Sequence, residues 1–180
     1  MDIQGARIVV TGGAAGLGLA IATALHEAGA IPVVVDRDAE ALARVGAALA
    51  CPTFLADLTS AEAVDAMVES VCAGGMPQGL INNAGIIRNA PLLNLFDPAE
   101  RRHSLDLWQE VIDVNLTAVF LVTRAFVARM AEKRVRGVVI SMSSIAAKGN
   151  AGQGAYAAAK AGVEALTKSW ARELGPLGFR

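Results

Sequence analysis

Tyr156 and Lys160 stand four residues apart, in Tyr156-Ala157-Ala158-Ala159-Lys160, with Ser143 thirteen residues upstream. Four residues is about one helical turn, so both side chains project from one helix face. Withdrawn from bulk water, an ammonium beside a phenol stabilises the phenolate and lowers the phenol's pKa. A phenol tuned toward neutrality can pass a proton to or from a substrate oxygen. Many surface helices carry this spacing, and its weight here comes from the other end of the chain.

There, Val9-Val10-Thr11-Gly12-Gly13-Ala14-Ala15-Gly16-Leu17-Gly18 runs from a β-branched stretch into a helical one through spaced glycines. Gly12 permits a tight turn, Gly16 lets the backbone approach a pyrophosphate, and Gly18 allows close helix packing. The helix N-terminus offers free N–H groups to the phosphates. Gly12, Ala15, Gly16, Leu17 and Gly18 are therefore candidate dinucleotide contacts. Asp36 follows eighteen residues after Gly18, where a carboxylate accepts hydrogen bonds from an adenosine ribose. A carboxylate there repels a ribose 2′-phosphate, and Ala15 supplies no cation to pair with one. NAD is expected over NADP. Arg37 is the counter-signal, because an arginine just past this strand could serve a 2′-phosphate.

The rest of the chain must position these groups. Its 180 residues are 54% apolar, 4% aromatic and carry a formal charge of -1. That length suits one domain, and an Ala/Val/Leu/Ile-rich mix suits a parallel sheet covered on both faces by helices. No block of one sign suggests a nucleic acid or an anionic membrane as partner. Cys51, Cys72, His26 and His103 match no metal-ligand spacing, and the two cysteines read as reduced thiols of a cytoplasmic protein. Ile8 to Leu25 is nearly uncharged over almost the length of a membrane span. Its glycines split it into a buried strand, a turn and a helix, so neither a span nor a cleaved leader is expected.

Strands are expected at Arg7–Thr11, Ile31–Asp36, Thr53–Ala56, Gly79–Asn82 and Gly137–Met142, and helices at Leu17–Ala28, Ala39–Leu49, Ala61–Ala73, Leu105–Val114, Leu116–Lys133 and Ala155–Leu174. Ser60 and Ser104 are placed to cap helices, Gly29 and Gly175-Pro176 to end them. Within the long Ile86–His103 connection, Asp97-Pro98-Ala99-Glu100 has the placements of a short capped helix.

In order and spacing these motifs resemble the short-chain dehydrogenase/reductase family: Thr11-Gly12-x-x-x-Gly16-x-Gly18, Asp36, Asp57-Leu58, Asn82-Asn83-Ala84-Gly85, Asn115, Ser143 and Tyr156-x-x-x-Lys160. The resemblance implies a Rossmann-like doubly wound α/β fold of three layers, with parallel strand order 3-2-1-4-5 and the family's last strands missing. It implies that Asp57 and Leu58 form the adenine pocket and that Asn83, Ala84 and Gly85 lie along the adenosine half, with the asparagines bracing the central strands. Tyr156 would be the general acid or base, and Ser143 would hydrogen-bond the substrate oxygen. Lys160 would hold the nicotinamide ribose, and Asn115 would anchor a water feeding protons toward Lys160. Each role has a plainer alternative. Ser144 is an equal hydroxyl on composition, Asn115 could cap or kink a helix junction, and Asp57 could be a helix-entry residue.

The implied activity is NAD-dependent hydride transfer between nicotinamide and a small ketone or secondary alcohol. Bulk resemblance includes 3-oxoacyl-thioester reductases, whereas Ile86-Ile87-Arg88-Asn89-Ala90-Pro91 looks somewhat like dehydrogenases of sugar acids, with Arg88 toward a carboxylate. A homo-oligomer, dimer or tetramer, is implied through Leu116–Lys133 and Ala155–Leu174. The chain departs from the family pattern after Gly-Pro-Leu-Gly-Phe-Arg, where members continue into further strands. The single dinucleotide-binding domain over residues 1–180 is accordingly expected to be C-terminally incomplete, with a bare fifth strand. The alternative reading is a non-catalytic or weakly active truncated dinucleotide-binding protein.

Overall fold

In the computed structural model, which describes residues 3–96 and 101–180, five strands form one parallel sheet of order β3-β2-β1-β4-β5. They are β1 (Arg7–Thr11), β2 (Ile31–Asp36), β3 (Thr53–Leu55), β4 (Gly79–Asn82) and β5 (Val138–Ser141). The helices are α1 (Gly16–Glu27), α2 (Ala39–Leu49), α3 (Ala61–Ala73), α4 (Leu105–Ile112), α5 (Ala118–Glu132) and α6 (Gly154–Leu174). The turn expected at Asp97-Pro98-Ala99-Glu100 lies outside the described residues.

Strand side chains alternate between faces, and both faces are apolar. Val9, Val33, Val35 and Leu80 pack on Val64, Val68 and Val71 of α3 and on Val122 and Phe126 of α5. On the other face Ile8, Val10 and Ile81 meet Ile21 and Leu25 of α1, and Val34 meets Leu42 and Val45 of α2. Each such fully buried side chain contributes about 1.5–3 kcal/mol, so the sheet is fixed by its Val/Ile runs. Ser60 Oγ accepts from Ala63 N at 3.2 Å and Ser104 Oγ from Leu107 N at 3.2 Å, as the sequence suggests. Asp38, which the sequence reading passes over, caps α2 through Ala41 N at 2.9 Å.

Two expectations are corrected. The helices expected as Leu105–Val114 and Leu116–Lys133 are one continuous helix, widened at Asp113–Thr117 into a π turn. Asn115 does not interrupt it, because its side-chain amide is satisfied by Val111 O one turn back and by the backbone of Ile86. That helix is long and apolar enough to cross a membrane by length and composition, yet Leu121, Val122, Ala125 and Phe126 are used against the sheet. The edge of β5 is also not wholly bare. Arg180 N donates to Gly137 O at 3.0 Å and Val139 N to Arg180 O at 2.8 Å, the first rungs of a further parallel ladder. Ile140, beyond those rungs, is 48% exposed.

Candidate active site

The glycine turn is locked to the end of β4. At Gly12, where φ is +61°, a Cβ would lie 2.8 Å from Ala84 Cα, and a Cβ on Gly18 would lie 2.0 Å from Gly12 O. Nothing larger than glycine fits either contact. Asn83 Nδ2 donates to Thr11 O at 3.0 Å and Gly12 O at 3.1 Å, while Thr11 Oγ1 accepts from Asn83 N at 3.0 Å and Ala84 N at 3.2 Å. Thr11 is thus a positioning hydroxyl that the motif contains but whose side-chain role the sequence reading leaves out. Gly16 differs: its φ is +53° and the place of its missing Cβ is open space.

That open space belongs to a crevice of about 630 Å³ at the C-terminal ends of the strands. Gly12, Ala15, Gly16, Leu17 and Gly18 line it from the first turn, Asp36 and Arg37 from the second, Asp57 and Leu58 from the third, and Asn83, Ala84 and Gly85 from the fourth. The void a Cβ would fill at Gly16, directly at the start of α1, is what an approaching diphosphate requires. These residues therefore fit a dinucleotide. Asp36 is held at the rim by backbone N–H groups, Oδ2 accepting from Ala14 at 3.0 Å and Oδ1 from Arg37 at 2.7 Å. Asp57 Oδ1 accepts from Thr59 Oγ1 at 2.7 Å and Thr59 N at 2.9 Å. Those bonds lower the Asp57 pKa below its ordinary value. Asp57 is thus both a crevice wall and a helix-entry residue.

Lys160 is 4% exposed and its Nζ donates to Met142 O at 2.8 Å. Desolvation lowers its pKa from the usual lysine value. The amine lies 5.7 Å from the centroid of the Tyr156 ring, within cation–π range. Among the described residues the two meet through the ring face and not by a hydrogen bond to the hydroxyl. A Cβ built on Gly85 would lie 3.7 Å from Lys160 Nζ and 2.7 Å from Asn115 Oδ1, so these three residues form one cluster. Asn115 is fully buried: Nδ2 donates to Val111 O and Ile86 O, both at 2.9 Å, and Oδ1 accepts from Ile86 N at 3.2 Å. It ties the π turn to the crevice wall. Asn82 Nδ2 braces β4 against α5 through Thr123 Oγ1 at 2.9 Å and against β5 through Ser141 Oγ at 3.3 Å.

Ser143 is directed elsewhere. Its Oγ donates to Glu164 Oε1 at 2.7 Å. Ser144 caps the short helical turn Ile145–Lys148, its Oγ accepting from Ala146 N at 3.2 Å and keeping its own hydrogen. Glu164 was missed by the sequence reading, although Tyr156, Lys160 and Glu164 recur every four residues along one face. Arg88 pairs with this chain's own Glu110 at 3.1 Å.

Comparison with known proteins gives the class. A family model described as short chain dehydrogenase matches residues 6–180. A (3R)-3-hydroxyacyl-CoA dehydrogenase of Canis lupus familiaris is 37% identical over 195 aligned residues, covering 100% of this chain and 72% of the relative. The 3-oxoacyl-[acyl-carrier-protein] reductase FabG of Pseudomonas aeruginosa is 33% identical, over 97% of this chain and 70% of its own length. Among solved structures, gox2181 is similar with TM-score 0.88 at 30% identity, over 98% of this chain and 69% of that one. A crystal structure described as ribose-5-phosphate isomerase from Brucella melitensis 16M has TM-score 0.89 at 36% identity, over 99% and 67%. The chain belongs to the short-chain dehydrogenase family, whose members are nicotinamide-dependent oxidoreductases acting on CH–OH or C=O groups.

Proposed function

We propose that this protein is an NAD-dependent oxidoreductase acting on 3-oxoacyl or 3-hydroxyacyl thioesters. One observation carries the reading. Lys160 is buried against Met142 O, with the Tyr156 ring over its amine, beside the cluster with Gly85 that also borders the crevice. The thioester class comes from what the dog and Pseudomonas relatives are named for. Asp36 supports NAD, since its charge at the rim disfavours a ribose 2′-phosphate, and Arg37 beside it opposes that choice.

The crevice residues would hold a dinucleotide, which would supply or accept the hydride. Tyr156 carries the proton at the substrate oxygen. A hydroxyl of the Ser143–Ser144 pair holds that oxygen as charge develops on it. Lys160, poorly solvated, holds the nicotinamide ribose beside the Tyr156 ring. Asn115 fixes the π turn and orients the water path toward Lys160. Asp57 and Leu58 take the adenine, with Asn83, Ala84 and Gly85 along the adenosine half. We further infer a homo-oligomer through α5 and α6 and a cytoplasmic setting, the latter suited to two free cysteines.

The test follows NADH absorbance with acetoacetyl-N-acetylcysteamine, with Tyr156→Phe as control. Turnover should fall about 10²–10⁴-fold in the variant, while NAD binding by calorimetry is retained. A second reading, a non-catalytic dinucleotide-binding protein, is favoured by the engagement of Ser143 with Glu164. Firm NAD binding without turnover of any ketone or alcohol in a panel would choose it.

A further inference from the structure

Glu110, Asp113 and Val114 line the crevice from α4 and the π turn, and neither the glycine motif nor the Tyr156–Lys160 pair accounts for them. With them the charged lining is lopsided. Asp36, Asp57, Glu110 and Asp113 bring carboxylates, against the single guanidinium of Arg37 among the described lining residues. Three of these carboxylates are held by neutral donors. Asp36 accepts from the N–H groups of Ala14 and Arg37, Asp57 from Thr59, and Asp113 from Gln109 Nε2 at 2.8 Å. A neutral donor satisfies a carboxylate but leaves its charge in place.

Glu110 differs. Its Oε1 meets Arg88 Nη2 at 3.1 Å, and among the described residues it alone of the four is in an ion pair. Arg88 is well placed to keep that contact. Two residues earlier Ile86 is pinned by Asn115, which donates to its O at 2.9 Å and accepts from its N at 3.2 Å. The other guanidinium nitrogen, Nη1, donates to Ile87 O at 3.2 Å, so the planar group is fixed at two points. Turning Arg88 toward a substrate carboxylate instead would break the bond to Glu110 and leave that charge bare on the crevice wall.

Resting on the reading that a nicotinamide dinucleotide occupies the crevice, we propose that Arg88 is the counter-ion that makes the α4 wall compatible with it. Arg88 cancels the charge of Glu110, which would otherwise repel the diphosphate. It acts through Glu110 and is therefore a positioning residue for cofactor affinity. Like charges sharing a solvent-filled crevice repel through partial screening, so losing the compensation should weaken binding about threefold to tenfold. An ordinary surface ion pair would be close to silent. The two partners must also act with opposite sign, which a merely structural contact would not produce.

The experiment is calorimetric titration of NAD into the parent chain, Arg88→Met, Glu110→Gln and the double variant, each checked for an unchanged melting midpoint. Arg88→Met should bind about threefold to tenfold more weakly. Glu110→Gln should bind more tightly than the parent, since Arg88 is then an uncompensated cation, and the double variant should return to within about twofold of the parent. Arg88→Lys, which keeps the charge, should restore parental affinity. In about 0.5 M sodium chloride the deficit of Arg88→Met should shrink to less than about twofold. Equal losses in both single variants would make the pair a structural clasp and overturn the proposal. So would unchanged NAD affinity in Arg88→Met, or a loss seen only in KM for a carboxylate-bearing substrate. A parent chain that bound no dinucleotide would defeat the crevice reading and this proposal with it, whereas a parent that bound NAD beside flat variants would defeat this proposal alone. The titrations involve no hydride transfer, so silence with the N-acetylcysteamine thioester would defeat the proposed function and leave the Arg88 result standing.

Discussion

Ser143 Oγ donates its only hydrogen to Glu164 Oε1 at 2.7 Å, one turn of α6 beyond Lys160. A hydroxyl whose proton is committed to a carboxylate cannot donate it to a substrate oxygen at the same moment. The neighbouring Ser144 uses only a lone pair, on Ala146 N, and retains its proton.

Ser144→Ala should therefore lower kcat about 10²–10³-fold, the scale of losing one donor to a developing oxyanion. Ser143→Ala should lower it by less than about tenfold, an expectation scaled to the same donor loss, and Glu164→Ala should behave like Ser143→Ala. Steady-state kinetics on the three variants decide it. The reverse order would return the role to Ser143.

Lys160 should destabilise the fold that its chemistry needs. Burial lowers the pKa of its ammonium, so the unfolded chain binds this proton more tightly than the folded one. The sign follows: stability is greatest above the ordinary lysine range and is lost as pH falls from there through the folded pKa. Lys160→Met should raise the melting midpoint at pH 7 by about 2–4 °C, flatten its alkaline pH dependence and abolish turnover. A lower midpoint would mean that the bond to Met142 O outweighs desolvation.

Cofactor choice should turn on Asp36. Asp36→Asn keeps an acceptor for Ala14 N while removing the charge facing a 2′-phosphate. With Arg37 left in place, the ratio of kcat/KM for NAD over NADP should fall at least about tenfold, equivalent to roughly 1.4 kcal/mol. An unchanged ratio would show that Asp36 does not read the ribose.

Gly18→Ala drives a methyl to 2.0 Å from Gly12 O and 2.5 Å from Asn83 Nδ2. Overpacking of this kind costs about 1–3 kcal/mol, and it pries open the turn that receives the diphosphate. Urea unfolding should show a lower midpoint, and NAD affinity should drop in the same variant. Loss of neither would mean that α1 shifts freely.

Much of this molecule was legible from local chemistry. Val33, Val34 and Val35 in unbroken succession declare a strand covered on both faces, and Gly12, Gly16 and Gly18 permit few other turns. Position along the strands then brings Asp36, Asp57 and Asn83 to one crevice without further information. What escaped were choices made by tertiary partners. Asn115 reads as a helix breaker until Ile86 and Val111 are there to satisfy its amide. Ser143 and Ser144 are equal hydroxyls on composition, the thirteen-residue spacing to Tyr156 points to Ser143, and only Glu164 of α6 reveals which hydroxyl is engaged. The bridge between Leu93 and Arg102 has no signature in the residues that pair, so only the backbone bonds reveal it.

The rungs between Arg180 and the Gly137–Val139 segment carry a practical consequence. Any peptide fused directly after Arg180 is launched in register beside β5, with Val139 O and Ser141 N as its next hydrogen-bonding sites. A purification handle attached there would be threaded onto the sheet margin, a few residues below Ser143 and Ser144. Assays of the 180-residue chain should therefore be run on protein whose handle after Arg180 has been cleaved or was never added.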